Sequence, residues 1–133
     1  MADGVDLTTD LSGLSLQTPI VAAAGTAGYI EELPDVLDPA LLGAIVTKSI
    51  TADPREGHPP WRVIESPHGM LNAIGLENVG LDAFVREKLP AAECVNTTII
   101  GSIAGNGIAD YVKVAAAFDQ AKHLPAVELN VSC

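Results

Sequence analysis

Residues 97–131 read TTIIGSIAGNGIADYVKVAAAFDQAKHLPAVELNV, and the reading of this stretch decides the fold. Thr97 to Ile103 is a short, β-branched apolar run closed by Ala104-Gly105. A run of that kind suits a strand covered on both faces. From Gly107 to Lys122 the period changes: apolar residues recur at Ile108, Val112, Ala115 and Phe118, which predicts a helix. Ala126 to Val131 is a strand again. Strand, helix and strand in this order form a right-handed βαβ unit with parallel strands.

The alternation continues toward the N-terminus. Ala44 to Ser49 predicts a second buried strand, and Pro19 to Ala24, ended by Gly25, a third. Between them Glu31 to Leu42 predicts a helical stretch interrupted by Pro34, with Asp38 as N-cap, Pro39 at the first helical position and Gly43 as the stop. Leu81 to Leu89 predicts another helix. Asp6 to Leu11 and Leu14 to Leu16 alternate around Ser12-Gly13, a hairpin pattern. From Thr51 to Gly80 the pattern breaks into a Pro- and Gly-rich excursion, with a short hairpin around Trp61 to Glu65 and Met70 to Ala73. Excursions of that length are usually functional. A complete (β/α)₈ barrel needs about 250 residues, and four units are half of one. The expected fold is therefore α/β with a parallel sheet behind a short hairpin, residues 1–133 forming a single partial domain whose sheet is either open or half of a barrel.

Composition narrows the function. The charge of −10, from 17 acidic against 7 basic residues, weighs against nucleic acid and anionic membrane surfaces. No apolar run approaches the roughly 20 residues of a membrane span, and the acidic N-terminus is unlike a secretory signal, so a cytoplasmic protein is expected. Cys94 and Cys133 are too few for a disulfide scaffold, and His58, His68 and His123 show no ligand spacing, so no metal site is expected.

Polar residues gather where the predicted strands end: Thr26, Lys48 with Ser49, Ser102, and Asn130 with Ser132 and Cys133. Ligands sit at that edge in parallel α/β proteins. Each residue also has an ordinary reading. Lys48 suits a solvated lysine, Asn72 a turn residue and Asn130 a satisfied core amide. Cys133 suits a small buried hydrophobe.

Taken in order, TPIVAAAGTAG (18–28), VTKS (46–49), GMLNAIGLENVG (69–80), IIGSIAG (99–105) and VELNVSC (127–133) resemble the successive strand-end motifs of class 1 dihydroorotate dehydrogenases. The resemblance runs from about Asp6 to Cys133 and is most specific at Met70 to Leu76 and Glu128 to Cys133. It implies that the chain is the N-terminal half of an FMN-containing (β/α)₈ barrel that oxidises dihydroorotate to orotate in pyrimidine synthesis. It implies that Ala24, Gly25 and Thr26 bring backbone close to the flavin, that Ser49 and Ser102 line it, and that Lys48 lies near both flavin and substrate. It implies a substrate loop of Asn72, Ala73, Ile74, Gly75 and Leu76, an Asn130 that meets flavin and substrate, and Cys133 as the base. A free thiol titrates near 8.5, roughly, which suits a base working close to neutrality. The wording of the substrate loop is similar to the NAD-linked 1B subtype, which implies a homodimer and a partner subunit carrying FAD and an iron–sulfur cluster.

The chain departs from that subtype at Ser102, where asparagine is usual, and at Ala24, where serine is common. After Cys133 the family continues with Pro-Asn, a second flavin-binding lysine, a second substrate asparagine and a glycine-rich phosphate site. Without them the 133 residues alone are expected to be inactive. Two alternatives stand beside this reading: a dihydropyrimidine dehydrogenase-type flavin domain, and a non-catalytic half-barrel that serves as an assembly module.

Overall fold

A computed structural model describes residues 4–33 and 37–132. Pro34, where the first helix was expected to break, and Cys133, the expected base, lie outside the described residues.

The chain opens with a hairpin, β1 (Thr9–Leu11) against β2 (Leu14–Leu16), with Leu11 opposite Leu14. Ser12 and Gly13 turn it with φ of 53° and 90°, conformations that the glycine adopts without steric cost. Next comes the sheet that organises the molecule. Strands β3 (Val21–Ala22), β4 (Ala44–Val46), β7 (Thr98–Ile103) and β8 (Ala126–Leu129) lie side by side in chain order, every pair parallel. The register sets Val21 beside Ala44, Val46 beside Ile100, and Ser102 beside Glu128. Parallel neighbours in sequential order are what repeated βαβ units produce, and this is one arc of a barrel.

Each face of the sheet has its own core. Ile45, Ile99 and Ile103 point outward against helical residues, among them Phe84, Val114 and Phe118. Ala44, Val46 and Ile100 point the other way and meet Leu16 of the hairpin, which closes one end of the inner face. Alternate residues of each strand thus serve opposite cores, as the two-residue period requires.

The helix on the outer face, α2 (Ile108–Asp119), starts as expected but ends three residues before Lys122, and only Ala115 and Phe118 of its expected apolar face turn inward. Its buried residues are Val114 and Phe118, flanked by half-buried Tyr111 and Ala115, whereas Ile108 is 84% exposed and Val112 61%. Gly101 explains the fit. A methyl group there would come within 2.6 Å of the Phe118 ring, so the bare backbone lets helix and strand close together.

Three expectations are corrected. Glu31 to Leu42 does not form a helix among the described residues. Leu33 is in 3₁₀ conformation, with its carbonyl accepting the Leu37 N–H at 3.0 Å, and Pro39–Leu41 makes a 3₁₀ turn, capped as expected by Asp38, whose carboxylate accepts from the Ala40 N–H at 2.9 Å. Gly43 is there for space, since a side chain would collide with the Thr18 carbonyl. Leu81 to Leu89 does turn helically, but as a mixed run: α1 (Leu81–Ala83), a wide π turn (Phe84–Lys88) and a 3₁₀ stretch (Leu89–Cys94). Finally, β8 is an edge of the described sheet, with Val127 and Leu129 exposed rather than covered on both faces.

The excursion from Thr51 to Gly80 is an antiparallel arm. At its tip β5 (Val63–Ser66) pairs with β6 (Gly69–Asn72), all exposed. Below the tip, the Ala73 N–H donates to the Arg62 carbonyl and the His58 N–H to the Ile74 carbonyl. Arg55 and Asn78 exchange both backbone bonds at 2.9 Å. These backbone bonds hold the arm together, and its feet, Ala52 and Val79, pack against the outer core. No helix among the described residues is long and apolar enough to cross a membrane.

Candidate active site

The C-terminal ends of the four parallel strands bring the site together. After β3 the chain turns through Ala23 to Thr26, closed by a Thr26 N–H to Ala23 carbonyl bond of 3.1 Å. Gly25, at φ +81°, tops this turn with open space where a side chain would be. After β4 the Lys48 N–H donates to the Gly28 carbonyl at 2.8 Å, which ties this turn to the next strand. The Lys48 side chain is half-buried and has no ion pair among the described residues.

Ser49, Ser102 and Asn130 meet directly. The Ser49 and Ser102 hydroxyls are 2.8 Å apart, and Asn130 Nδ2 donates to Ser49 Oγ at 3.0 Å. Ser102 is fully buried and Ser49 nearly so. Thr47 steadies them from beneath by accepting the Ser102 N–H at 3.1 Å. Asn130 is held from three sides. Its N–H donates to the Ile103 carbonyl, its carbonyl accepts from the Tyr111 hydroxyl of α2 at 2.5 Å, and its Oδ1 accepts from Ser132. The amide that looked anomalous among Val, Leu and Val is therefore fully ordered.

The loop from Asn72 to Leu76 is placed separately. Asn72 ends β6 and is exposed, so it needs no buried partner, contrary to the expectation drawn from its apolar neighbours. Ala73 is exposed too, and Ile74, Gly75 and Leu76 are half-buried. Gly75 (φ +78°) and Leu76 (φ +57°) make a left-handed turn packed against His58. For leucine that conformation costs on the order of 1–2 kcal/mol. No hydrogen bond among the described residues joins this loop to Ser49, Ser102 or Asn130. Of this loop, Gly75 and Leu76 line a cleft of about 430 Å³ with Arg55, Glu56, Gly57 and His58.

Two residues of the site region escape a motif-by-motif reading. Asn78, 4% exposed, knots the two feet of the arm together. Its Oδ1 accepts from the Thr51 and Gly80 N–H groups, and its Nδ2 donates to Thr51 Oγ1 and the Leu76 carbonyl. Glu128 accepts from Ser102 Oγ at 3.1 Å. Its signal was available: Glu128 and Asn130 are two apart on one strand, hence on one face. Among the described residues no group of three or more metal-ligating side chains occurs.

The family model described as dihydroorotate dehydrogenase matches residues 6–133. The catalytic subunit of dihydroorotate dehydrogenase B (NAD(+)) from Geotalea uraniireducens is 44% identical over 128 residues, covering 96% of this chain and 42% of that protein. The subunit of the same name from Geobacillus kaustophilus is 48% identical over 127 residues, covering 96% and 41%. The chain thus spans well under half the length of these relatives. In fold it is similar to the crystal structure of DHODH from Eimeria tenella in complex with ferulenol. The TM-score is 0.74 at 20% identity, over 98% of this chain and 38% of the other.

Proposed function

This chain belongs to the dihydroorotate dehydrogenase family, and from that premise we propose that its strand ends form the first half of a site that oxidises dihydroorotate to orotate with FMN. The observation that carries the reading is the junction of Ser49, Ser102 and Asn130 beside Lys48 at one edge of the parallel sheet. These residues suit a flat, polar-edged ring. Gly25 leaves the turn after β3 open for close backbone approach, and the hydroxyls and amide supply hydrogen-bonding groups opposite it.

FMN, when bound, supplies the hydride acceptor. Ala24, Gly25 and Thr26 would offer it backbone, and Ser49, Ser102 and Asn130 its polar contacts. The Lys48 ammonium would place fixed positive charge where negative charge develops. Asn72 through Leu76 would close over the substrate, with the Asn72 amide offering both a donor and an acceptor to the pyrimidine ring. Cys133 would take the proton from the ring carbon next to the one that loses hydride.

The relatives are named as catalytic subunits, which implies a second subunit in those proteins. For this chain the reading extends to a homodimer with a partner that carries FAD and an iron–sulfur cluster and passes electrons to NAD, working in the cytoplasm. Lys48→Ala and Asn130→Ala test the site. Each should lower kcat/KM for dihydroorotate roughly a hundredfold, the usual size for loss of one preorganised charge or donor. Unchanged turnover in both would sink the assignment. Oxidation of dihydrouracil in preference to dihydroorotate would favour the dihydropyrimidine dehydrogenase alternative.

A further inference from the structure

Four side chains at the ends of three neighbouring strands form one continuous chain of hydrogen bonds. Asn130 Nδ2 donates to Ser49 Oγ at 3.0 Å, Ser49 and Ser102 are joined at 2.8 Å, and Ser102 Oγ donates to Glu128 Oε1 at 3.1 Å. Distances alone leave the middle link undirected, since either hydroxyl could be its donor. The two ends settle it. An amide nitrogen only donates, a carboxylate oxygen only accepts, and a hydroxyl has a single proton. The Ser102 proton goes to Glu128, so Ser102 must accept from Ser49. The Ser49 proton is then committed, so Ser49 must accept from Asn130. Every link runs the same way, from Asn130 to Glu128.

That direction has a consequence for the amide. With Nδ2 turned to Ser49, Oδ1 faces Ser132 and accepts both its N–H, at 3.2 Å, and its Oγ, at 2.9 Å. Both lone pairs of Oδ1 are taken. The flipped amide would need Ser49 to donate to Asn130 and Ser102 to donate to Ser49, leaving an oxygen lone pair against the Glu128 carboxylate. What Asn130 retains for a ligand is one N–H, without a protein partner among the described residues.

We propose that Glu128 is a positioning residue: through Ser102 and Ser49 it locks the Asn130 amide so that this residue meets its ligand as a donor only, facing an acceptor atom such as a ring carbonyl oxygen. Ser102 suits this task, because a hydroxyl with one proton transmits a single direction where an amide would not. The hydrogen-bond chain stands on the geometry. Its bearing on dihydroorotate rests on the reading given under Proposed function.

The test uses ¹⁵N-labelled protein and the side-chain NH₂ signals of Asn130, assigned by their loss in Asn130→Asp. Glu128→Leu removes the terminal acceptor, and Ser102→Ala cuts the chain one link earlier. Both should shift or double the Asn130 NH₂ pair, and the double variant should do no more than either alone, because the residues act in series. Glu128→Gln restores an acceptor and should return the signals toward those of the parent. In the active protein the first two should raise KM for dihydroorotate about tenfold, the size of one lost orienting bond, with rescue in Glu128→Gln.

Unmoved Asn130 signals in a folded Glu128→Leu or Ser102→Ala protein would overturn the proposal. If Glu128→Leu does not fold, Ser102→Ala decides it alone. Moved signals in a protein that does not oxidise dihydroorotate would uphold the hydrogen-bond chain and overturn the reading of the reaction.

Discussion

Thr47, Ser49 and Ser102 put three hydroxyls into buried positions at the end of a parallel sheet, where each must be matched or cost stability. Ser49 and Ser102 are matched by each other, by Asn130 and by Glu128, while the Thr47 hydroxyl donates to the Lys48 carbonyl and accepts the Ser102 N–H. Replacing Ser102 by Val should strand Ser49 and destabilise the fold by about 1–3 kcal/mol, read from denaturant unfolding. Tyr29 gives a pH-dependent counterpart. Burial pushes its hydroxyl up from the usual tyrosine value, against the opposing effect of the Val79 N–H, which donates to it at 3.0 Å. A group raised in the fold contributes stability that is fully present below its unfolded pKa, about 10, and is lost as pH climbs through the folded value. Stability of the parent should therefore fall more steeply above about pH 10 than that of Tyr29→Phe. Parallel curves from alkaline unfolding titrations would contradict the assignment.

At the scale of elements, the contact between β7 and α2 is set by Gly101 against Phe118. Gly101→Ala should push the ring away and cost about 1–3 kcal/mol, and Phe118→Ala about 3–5 kcal/mol, both measurable as shifts in the unfolding midpoint. This pair also shows what the sequence could and could not say. Strand and helix were legible from the change of apolar period, and so were Ala115 and Phe118 on the buried face, but its other members were not. Ile108 and Val112 look as apolar as Val114, and the seat of Phe118 against Gly101 on β7 turns Val114 inward and leaves the other two exposed. The segment from Glu31 to Leu42 was misread for a related reason: Asp38-Pro39 caps a single turn as well as it caps a helix. The arm from Thr51 to Gly80 was legible as an excursion and as a hairpin. Its anchor at Asn78 was not, because that residue does its work across a gap of 27 positions. Asn78→Ala leaves the Thr51 and Gly80 N–H groups unpaired and should free the loop carrying Asn72 to Leu76. Faster amide exchange across residues 51–80 with little change in the sheet is the expected result.

In the whole molecule, the two faces of the sheet divide the labour. The outer face carries the larger core, with Phe84 and Phe118 at its centre, 5.4 Å between ring centroids. The inner face is sealed at one end by Leu16 of the hairpin and is polar at the other, where the strands end. The family was readable from ordered short motifs, and so was the polar cluster of Ser49, Ser102 and Asn130, because strand ends carry polar groups while the rest of each strand carries packing. The direct test of the account is anaerobic reduction of the protein as its gene produces it. Bound flavin should be present and should bleach on addition of dihydroorotate and not of dihydrouracil. A protein that holds no flavin, or whose flavin dihydroorotate leaves oxidised, would contradict the account at its centre.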